Sequence, residues 1–408
     1  MSPVNARKIV PSPAKGRTSP AKSRTSPAKG RTSPAKSRTS RPTWTEIDLD
    51  AIAHNYHAIK ARLTKDTNIL AVVKANAYGY GMIEVARRLQ KERVPYLGVA
   101  CVDEGVILRR SGVRTPILVL SSVLPEEAES ALYYDLTLTV CDKILAAAID
   151  KAARSLRKHA LIHVKVDTGM GRLGVWHEEA GRLIKDLMSF KNIAIEGIFT
   201  HFASADEEDV RYTAAQIENF KRLATEMEIS GIEIQYVHAA NSAGAMLYKD
   251  SHFNMVRPGL MLYGLYPNKH LVRAVKLKPA LALKTRIIYL KKTPPGRFIS
   301  YGRTHMTDRE TVIATLPIGY ADGLNRHLSN KGEVLVRGWR APIVGRICMD
   351  HTMVDVGGIK GAKVGDEVTI IGSQKGETIT VEDIAELLDT IPYEVVCWIS
   401  ARVPRVYK

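Results

Sequence analysis

Between residues 69 and 256 short apolar, β-favouring runs alternate with longer segments of helical period. The runs predict strands at Ile69–Lys74, Leu97–Cys101, Ile117–Leu120, Thr137–Val140, Leu161–Asp167, Ala194–Thr200, Tyr236–Ala239 and Asn254–Val256. Intervening segments such as GMIEVARRLQK and TAAQIENFKRLATEME repeat their apolar positions at helical spacing. A further helical stretch, LDAIAHNYHAIKARL, precedes the first strand. Eight such units predict an α/β fold, a (β/α)8 barrel of the TIM type over residues 43–270. Beyond residue 270 the pattern changes. LKTRIIYLKK, TVIATLPIGY, GEVLVRG and DEVTIIG are strand-like and separated by Gly, Pro and Asp turns, and only TVEDIAELLDTI is helical. Residues 271–408 are therefore expected to form a second, mainly β domain.

Composition agrees with two cores: 45% of the 408 residues are hydrophobic. No run approaches the roughly 18 consecutive apolar residues of a membrane span, and the N-terminus lacks the apolar core of a secretory signal. The cysteines, Cys101, Cys141, Cys348 and Cys397, are far apart and form no C-x-x-C pair. A reduced, cytoplasmic setting without structural zinc or another bound metal is the expectation.

Net charge changes the picture only once it is located. Of the +17, eleven cations and no acid lie in residues 1–42, leaving about +6 for the other 366. This tail carries four copies of SPAK(G/S)RT, at 12–18, 19–25, 26–32 and 33–39. With so few large apolar side chains it is expected to be disordered. Two readings stay open. The tail resembles the basic tails of linker histones and would grip nucleic acid or another polyanion, or it is a solvated extension the enzyme does not need. Ser- and Arg-richness also suits a transit peptide, but the regular repeat and missing apolar face count against one.

In TIM barrels the reactive groups sit where strands end. Lys74 ends the first predicted strand in AVVKANAYGYG. Lys165 and Arg172 belong to the fifth unit in HVKVDTGMGRLG, and His201 follows the sixth in IFTHFASAD. Asn241 and Ser242 follow the seventh in HAANSAG, and Arg257 and Gly259 the eighth in NMVRPGLMLYG. A lysine ending an apolar strand is either a surface lysine with its stem along the barrel, or a desolvated amine of depressed pKa suited to Schiff-base chemistry. The glycines of YGYG would allow a tight turn and close backbone approach to a ligand. The segments after strands seven and eight are the usual phosphate site of the fold. Singly each small residue there is ordinary turn chemistry; with a strand-end lysine they describe a pyridoxal 5'-phosphate site.

At this point residues 43–408 are similar to the bacterial alanine racemases, in fold type III of the pyridoxal-phosphate enzymes. AVVKANAYGYG resembles that family's cofactor-lysine signature. VKVDTGMGRLG, THFASADE, HAANSAG, MVRPGLMLYGLYP, ISYGRTH, LPIGYADG, GRICMDHTMVDV and ARVPRVY follow in order and spacing. The resemblance implies interconversion of L- and D-alanine by two-base proton transfer, supplying D-alanine for peptidoglycan, in a homodimer with shared sites. It implies that Lys74 holds the cofactor and is the acid/base on one face, and that Tyr301, from the second domain of another subunit, serves the opposite face. Without it, Tyr301 reads as a cross-strand packing residue. By the same resemblance Arg257 faces the pyridine nitrogen, Arg172 contacts the cofactor and the substrate carboxylate, and Lys165 is a carbamylation site that orients Arg172. Tyr78, Ser242, Gly259 and Leu260 match phosphate contacts, and Asn241 belongs to the same cofactor-binding set. His201 flanks the ring. Met349 lies at the substrate carboxylate, and Asp350, Tyr320 and Arg326 lie at the entrance. One position departs from some members: Ala401 stands where a tyrosine often precedes RVPR. That raises a broader alanine/serine racemase as an alternative.

Three rival classes are weighed against this. A non-catalytic carrier on the same barrel would lack the second domain, and a related decarboxylase would pair the ring nitrogen with an acid where this chain has Arg257. A nucleic-acid-binding protein would act through residues 1–42, and deleting the tail separates that role from catalysis.

Overall fold

In the computed structural model the described residues are 41–267 and 275–408. The readings made for residues 1–40, including the repeats, lie outside them.

Eight parallel strands close into a barrel: β1 (Asn68–Val72), β2 (Tyr96–Val99), β3 (Ile117–Val119), β4 (Thr137–Val140), β5 (Ala160–Asp167), β6 (Ile193–Phe199), β7 (Tyr236–His238) and β8 (Met255–Val256). Each pairs with its chain neighbour, and β8 returns to β1 with Met255 opposite Asn68 and Val256 opposite Ile69. β2, β3 and β4 are buried at every position, as strands covered by helices outside and side chains inside must be. The expected α/β barrel and mainly β second domain are both present.

The leading helix, Leu49–Lys60, starts where the Asp48 carboxylate accepts from Ala51 N at 2.8 Å. Its buried face includes Ile52, Asn55, Tyr56 and Ile59, a helical spacing. Asn55 donates to the carbonyls of Leu262 and Lys278, tying the end of the barrel segment to the start of the next domain.

The second domain is built on a sheet ordered 339–342, 333–336, 367–374, 281–286, 44–47, 405–407. The strand Trp44–Ile47, before the barrel in sequence, therefore lies in this sheet. It pairs antiparallel with Leu281–Arg286 and parallel with Arg405–Tyr407. A second sheet joins Tyr289–Thr293, Thr311–Leu316 and Thr352–Asp355. The expected helix is Val381–Leu387, opened by a capping box of Thr380 and Asp383. A second helix, Pro392–Cys397, was not expected; proline at its first turn starts it.

Domain docking explains the glycines of YGYG. A Cβ on Gly79 would lie 2.5 Å from the Val396 carbonyl oxygen, and one on Gly81 would lie 1.9 Å from the Tyr407 hydroxyl. Both residues have positive φ, as a tight turn requires. The close approach is to the second domain, where the sequence suggested a ligand. Among the described residues no helix is long and apolar enough to cross a membrane.

Candidate active site at the barrel mouth

The first strand stops at Val72, two residues earlier than expected, and Lys74 opens a short turn through Tyr78. Ala75, Asn76, Ala77 and Tyr78 all have φ near +53°. A left-handed turn of non-glycine residues costs roughly 1–2 kcal/mol per residue, so its surroundings must impose it. Ala77 N bonds the Val73 carbonyl at 2.9 Å, and Gly79 N bonds that of Ala75 at 3.1 Å. The Glu104 carboxylate accepts from Ala75 N at 2.6 Å and from Ala100 N at 2.7 Å. Asn76 Oδ1 accepts from Met82 N at 2.9 Å. The turn fixes where Lys74 leaves the backbone.

Arg172 is placed by a different device. The Asp167 carboxylate accepts from Gly169 N and Met170 N, both at 2.8 Å, and from Arg172 N at 3.2 Å. Burial works against this carboxyl, but the backbone N–H bonds and Lys165 outweigh it and hold its pKa below the ordinary value. The loop DTGMGR wraps one anion and ends on Arg172.

A cavity of about 500 Å³ opens between these elements. Lys74, Lys165, Arg172 and Arg257 line it, and among the described residues no acid does. Tyr78, His201, Asn241, Ser242 and Gly259 complete the polar wall, so the structure brings these strand-end residues together. Leu260 is buried next to Gly259, opening the 3-10 turn Leu260–Tyr263. Ser242 Oγ accepts from Gly259 N at 3.0 Å, which leaves its own proton to donate. Asn241 is turned instead to capping, accepting from Gly244 N at 2.9 Å. A Cβ on Gly259 would lie 2.4 Å from the Tyr78 hydroxyl, so only glycine leaves this cradle open.

Electrostatics follow from burial. Desolvation first, and then the repulsion of Arg172, lowers the pKa of Lys74. Desolvation and Arg257 lower that of Lys165 to about 7; its amine donates to the Val166 carbonyl at 2.9 Å. Arg257 is pulled down to about 9 by desolvation and is still a cation at neutral pH. Its NH2 donates to the carbonyls of Thr200 (2.7 Å) and Ala239 (2.8 Å), and its NH1 to His238 Nδ1 (2.9 Å). His201, 3.3 Å from Arg257 NH2, falls well below its ordinary value through burial and four nearby cations. It is therefore neutral.

The donor set is the one an anionic aldehyde cofactor with a ring nitrogen requires. Among the described residues neither the Lys74 amine nor the Arg172 guanidinium has an ion-pair partner, and each is free to meet an incoming group.

Family comparison decides what kind of barrel this is. The model "Alanine racemase, N-terminal domain" matches residues 47–267, and "Alanine racemase, C-terminal domain" matches 280–407. The chain belongs to the alanine racemase family. A relative from Halothermothrix orenii named alanine racemase is 49% identical over 90% of this chain and 97% of its own. One from Carboxydothermus hydrogenoformans is 45% identical over 90% and 100%. The solved alanine racemase of Clostridium difficile 630 superposes with a TM-score of 0.86 at 43% identity, covering 91% of this chain and 97% of that one. That of Bacillus anthracis with bound L-Ala-P gives 0.85 at 38%, covering 91% and 96%.

Within this alanine racemase fold the remaining candidates lie elsewhere. Tyr301 is 70% exposed and borders a separate cleft of the second domain with Phe298, Cys348 and His351. The Tyr320 turn packs on the Met349 segment, with Tyr320 N bonded to the Cys348 carbonyl and Ala321 N to that of Met349. Asp350 pairs with Arg402 at 2.7 Å, and Arg326 is exposed. None of these lines the Lys74 cavity. Two residues that do, Ile391 and Tyr393, were missed. Tyr393 sits on the unexpected helix, its ring 6.0 Å from that of Tyr78, and burial pushes its hydroxyl up to about 12. Only the proline before it signalled that a helix begins there. Phe199, the last residue of β6, was also passed over; it lies beneath both Lys165 and Arg257, each 5.3 Å from its ring.

Proposed function

We propose that this chain racemises alanine with pyridoxal 5'-phosphate held at the Lys74 cavity. One observation carries the reading. In a member of the alanine racemase family, a desolvated lysine opens into a cavity lined by a second lysine and two arginines, with no acid among the described residues. The cofactor, when bound, supplies the electron sink that lets the α-C–H bond of an amino acid ionise. Lys74 would hold the cofactor through its aldehyde carbon, and the downward shift of its amine pKa by desolvation favours the nucleophilic free base. Tyr78, Ser242, Gly259 and Leu260 surround the phosphate, with Asn241 shaping the turn. Arg257, still a cation, would face the ring nitrogen and oppose its protonation, which would favour proton return over side reactions. Arg172 takes the substrate carboxylate through its planar fork, and Lys165, whose pKa of about 7 leaves a large share of the amine neutral at pH 7, is carbamylated and orients Arg172. His201 flanks the ring as a neutral positioning group.

Lys74 moves the proton at Cα on one face. Tyr301 of a second copy serves the other face, with Met349 near the carboxylate and Tyr320, Arg326 and Asp350 at the entrance. The high exposure of Tyr301 within one chain supports this dimeric reading. The product is D-alanine, a peptidoglycan precursor. Ala401 stands where family members often carry a tyrosine, and that position is the ground for serine as a second substrate; within one chain Ala401 is exposed.

Solvent-deuterium incorporation with L-alanine and L-serine side by side tests the reading. Alanine is expected to exchange its α-proton and racemise, with borohydride fixing the cofactor on Lys74. Exchange without label on Lys74 would defeat it.

A further inference from the structure

Below the cavity the barrel core holds a line of polar side chains that the steps above do not use. It starts where Arg257 donates to His238 Nδ1. His238 Nε2 lies 2.8 Å from His163 Nδ1, and His163 Nε2 lies 3.1 Å from the Glu196 carboxylate. Glu196 also accepts from the Tyr96 hydroxyl at 2.8 Å. Both imidazoles are fully buried.

The direction of every bond in the line is fixed by its ends. A guanidinium only donates, so His238 Nδ1 accepts and its single proton sits on Nε2. That proton faces His163 Nδ1, whose own proton then sits on Nε2 and meets an acceptor-only carboxylate. The line is consistent when both rings are neutral and Glu196 is ionised. Burial lowers the pKa of His163 and lowers that of His238 further. Burial opposes ionisation of Glu196, but the bonds from His163 and Tyr96 outweigh it and lower its pKa.

The backbone is shaped to the same end. Register between β5 and β6 shifts after Ile162: Ile162 pairs with Ile195, His163 pairs with Gly197, and Glu196 is the extra residue of a bulge. Phe199 faces the cavity and Gly197 faces His163, so strict alternation would turn Glu196 outward; the bulge re-aims it. A Cβ on Gly197 would lie 2.6 Å from His163 Nδ1, so the imidazole occupies space that only glycine leaves.

We propose that Glu196 is a positioning residue for racemisation, fixing the tautomers of His163 and His238 and thereby the orientation of Arg257. The proposal rests on the reading that Arg257 meets the cofactor's ring nitrogen. An amide at 196 donates as readily as it accepts. It therefore permits the opposite tautomers, which set an N–H of His238 against an N–H of Arg257.

The test uses full-length holoenzyme labelled with 15N-histidine. The wild type should show His163 and His238 as neutral Nε2–H tautomers, and Glu196→Gln should show flipped or mixed ones, with Glu196→Asp restoring the wild-type pattern. The second readout is diversion: pyruvate released, with the alanine nitrogen left on the cofactor, per racemisation event. It should rise roughly tenfold in Glu196→Gln, the scale of a hydrogen bond to a charged group. Unchanged tautomers overturn the proposal, as does an unchanged diversion ratio when the tautomers flip. Arg257→Lys separates the two readings. If it also leaves diversion unmoved, the reading of Arg257 fails and the proposal with it, whereas an unflipped spectrum defeats the proposal alone. If Glu196→Gln does not fold, His163→Gln breaks the same line and should raise the same ratio; no rise there overturns it.

Discussion

The barrel mouth and the Tyr301 face of the second domain carry chemistry in opposite states. At the mouth Lys165, Arg257 and Ser242 are buried and partnered: Lys165 on a carbonyl, Arg257 on two carbonyls and a histidine, Ser242 on a backbone N–H. On the other face Tyr301 is 70% exposed and Met349 53% exposed. One half-site is organised before anything binds. The other is open to solvent within one chain. Racemisation needs a proton carrier on each face of the substrate, and under the proposed reading the two half-sites come from two chains. Pre-organisation of this kind is what makes fixed groups effective at developing charge.

The strongest way to break this comparison is to disable each half separately. Lys74→Ala should lose on the order of 10⁴-fold or more in kcat, the scale of a covalent-catalysis residue. Tyr301→Phe should lose roughly 10²- to 10⁴-fold, the scale of general acid–base catalysis, yet still bind cofactor. Mixed after subunit exchange, the two inactive variants should regain activity, because one composite site keeps both residues. No recovery despite proven exchange would place both groups in one chain.

Much of the mouth was legible because strand ends are read from local pattern. Apolar runs located all eight strands, and the fold then sends residues such as Arg172, His201 and Arg257 to one end. What stayed hidden depends on non-local or locally disfavoured structure. The left-handed turn after Lys74 contains Ala, Asn, Ala and Tyr, of which only Asn favours positive φ, and is held partly by Glu104 from another element. The bulge that turns Glu196 inward is a property of β5 and β6 together. Tyr393 reaches the cavity only because the second domain docks there, and the separation of Tyr301 from Lys74 within one chain is tertiary.

The organised half can be probed through Lys165. Its pKa falls from the ordinary 10.5 to about 7 in the folded protein. Between those values the unfolded chain binds a proton the native state refuses, so this group makes stability rise as pH climbs from 7 towards 10.5. At pH 7 the penalty amounts to as much as about 5 kcal/mol, at 1.36 kcal/mol per unit. Lys165→Met should flatten the thermal-stability profile over that window, and parallel profiles would show that the amine is not desolvated. Bicarbonate should sustain wild-type activity, since only the neutral amine forms a carbamate, and should leave Lys165→Met unaffected.

Gly259→Ala tests the cradle. The added Cβ would lie 2.4 Å from the Tyr78 hydroxyl, so the tyrosine must move. Overpacking of this kind costs roughly 1–3 kcal/mol, and cofactor affinity should fall about tenfold while the fold persists. Tyr78→Phe alongside Gly259→Ala should recover part of the loss by removing the clashing oxygen. Equal loss in the double variant would mean that the clash is not the cause.

Ala401→Tyr should have the smallest effect, because Ala401 is exposed and lines neither cavity that carries the chemistry. A ring there has one route to the substrate, by covering the space beside the phosphate end from the second domain. Excluding a hydroxymethyl side chain while keeping a methyl is worth little here, since one extra group discriminates by roughly 1–3 kcal/mol and a residue outside the cavity reaches only the low end of that. The ratio of kcat/KM for alanine over serine should therefore rise by about tenfold or less, through serine alone, with alanine kinetics unchanged. A fall in alanine kcat instead would mean that the added ring reaches the assembled half-site, and that Ala401 belongs to the incomplete face.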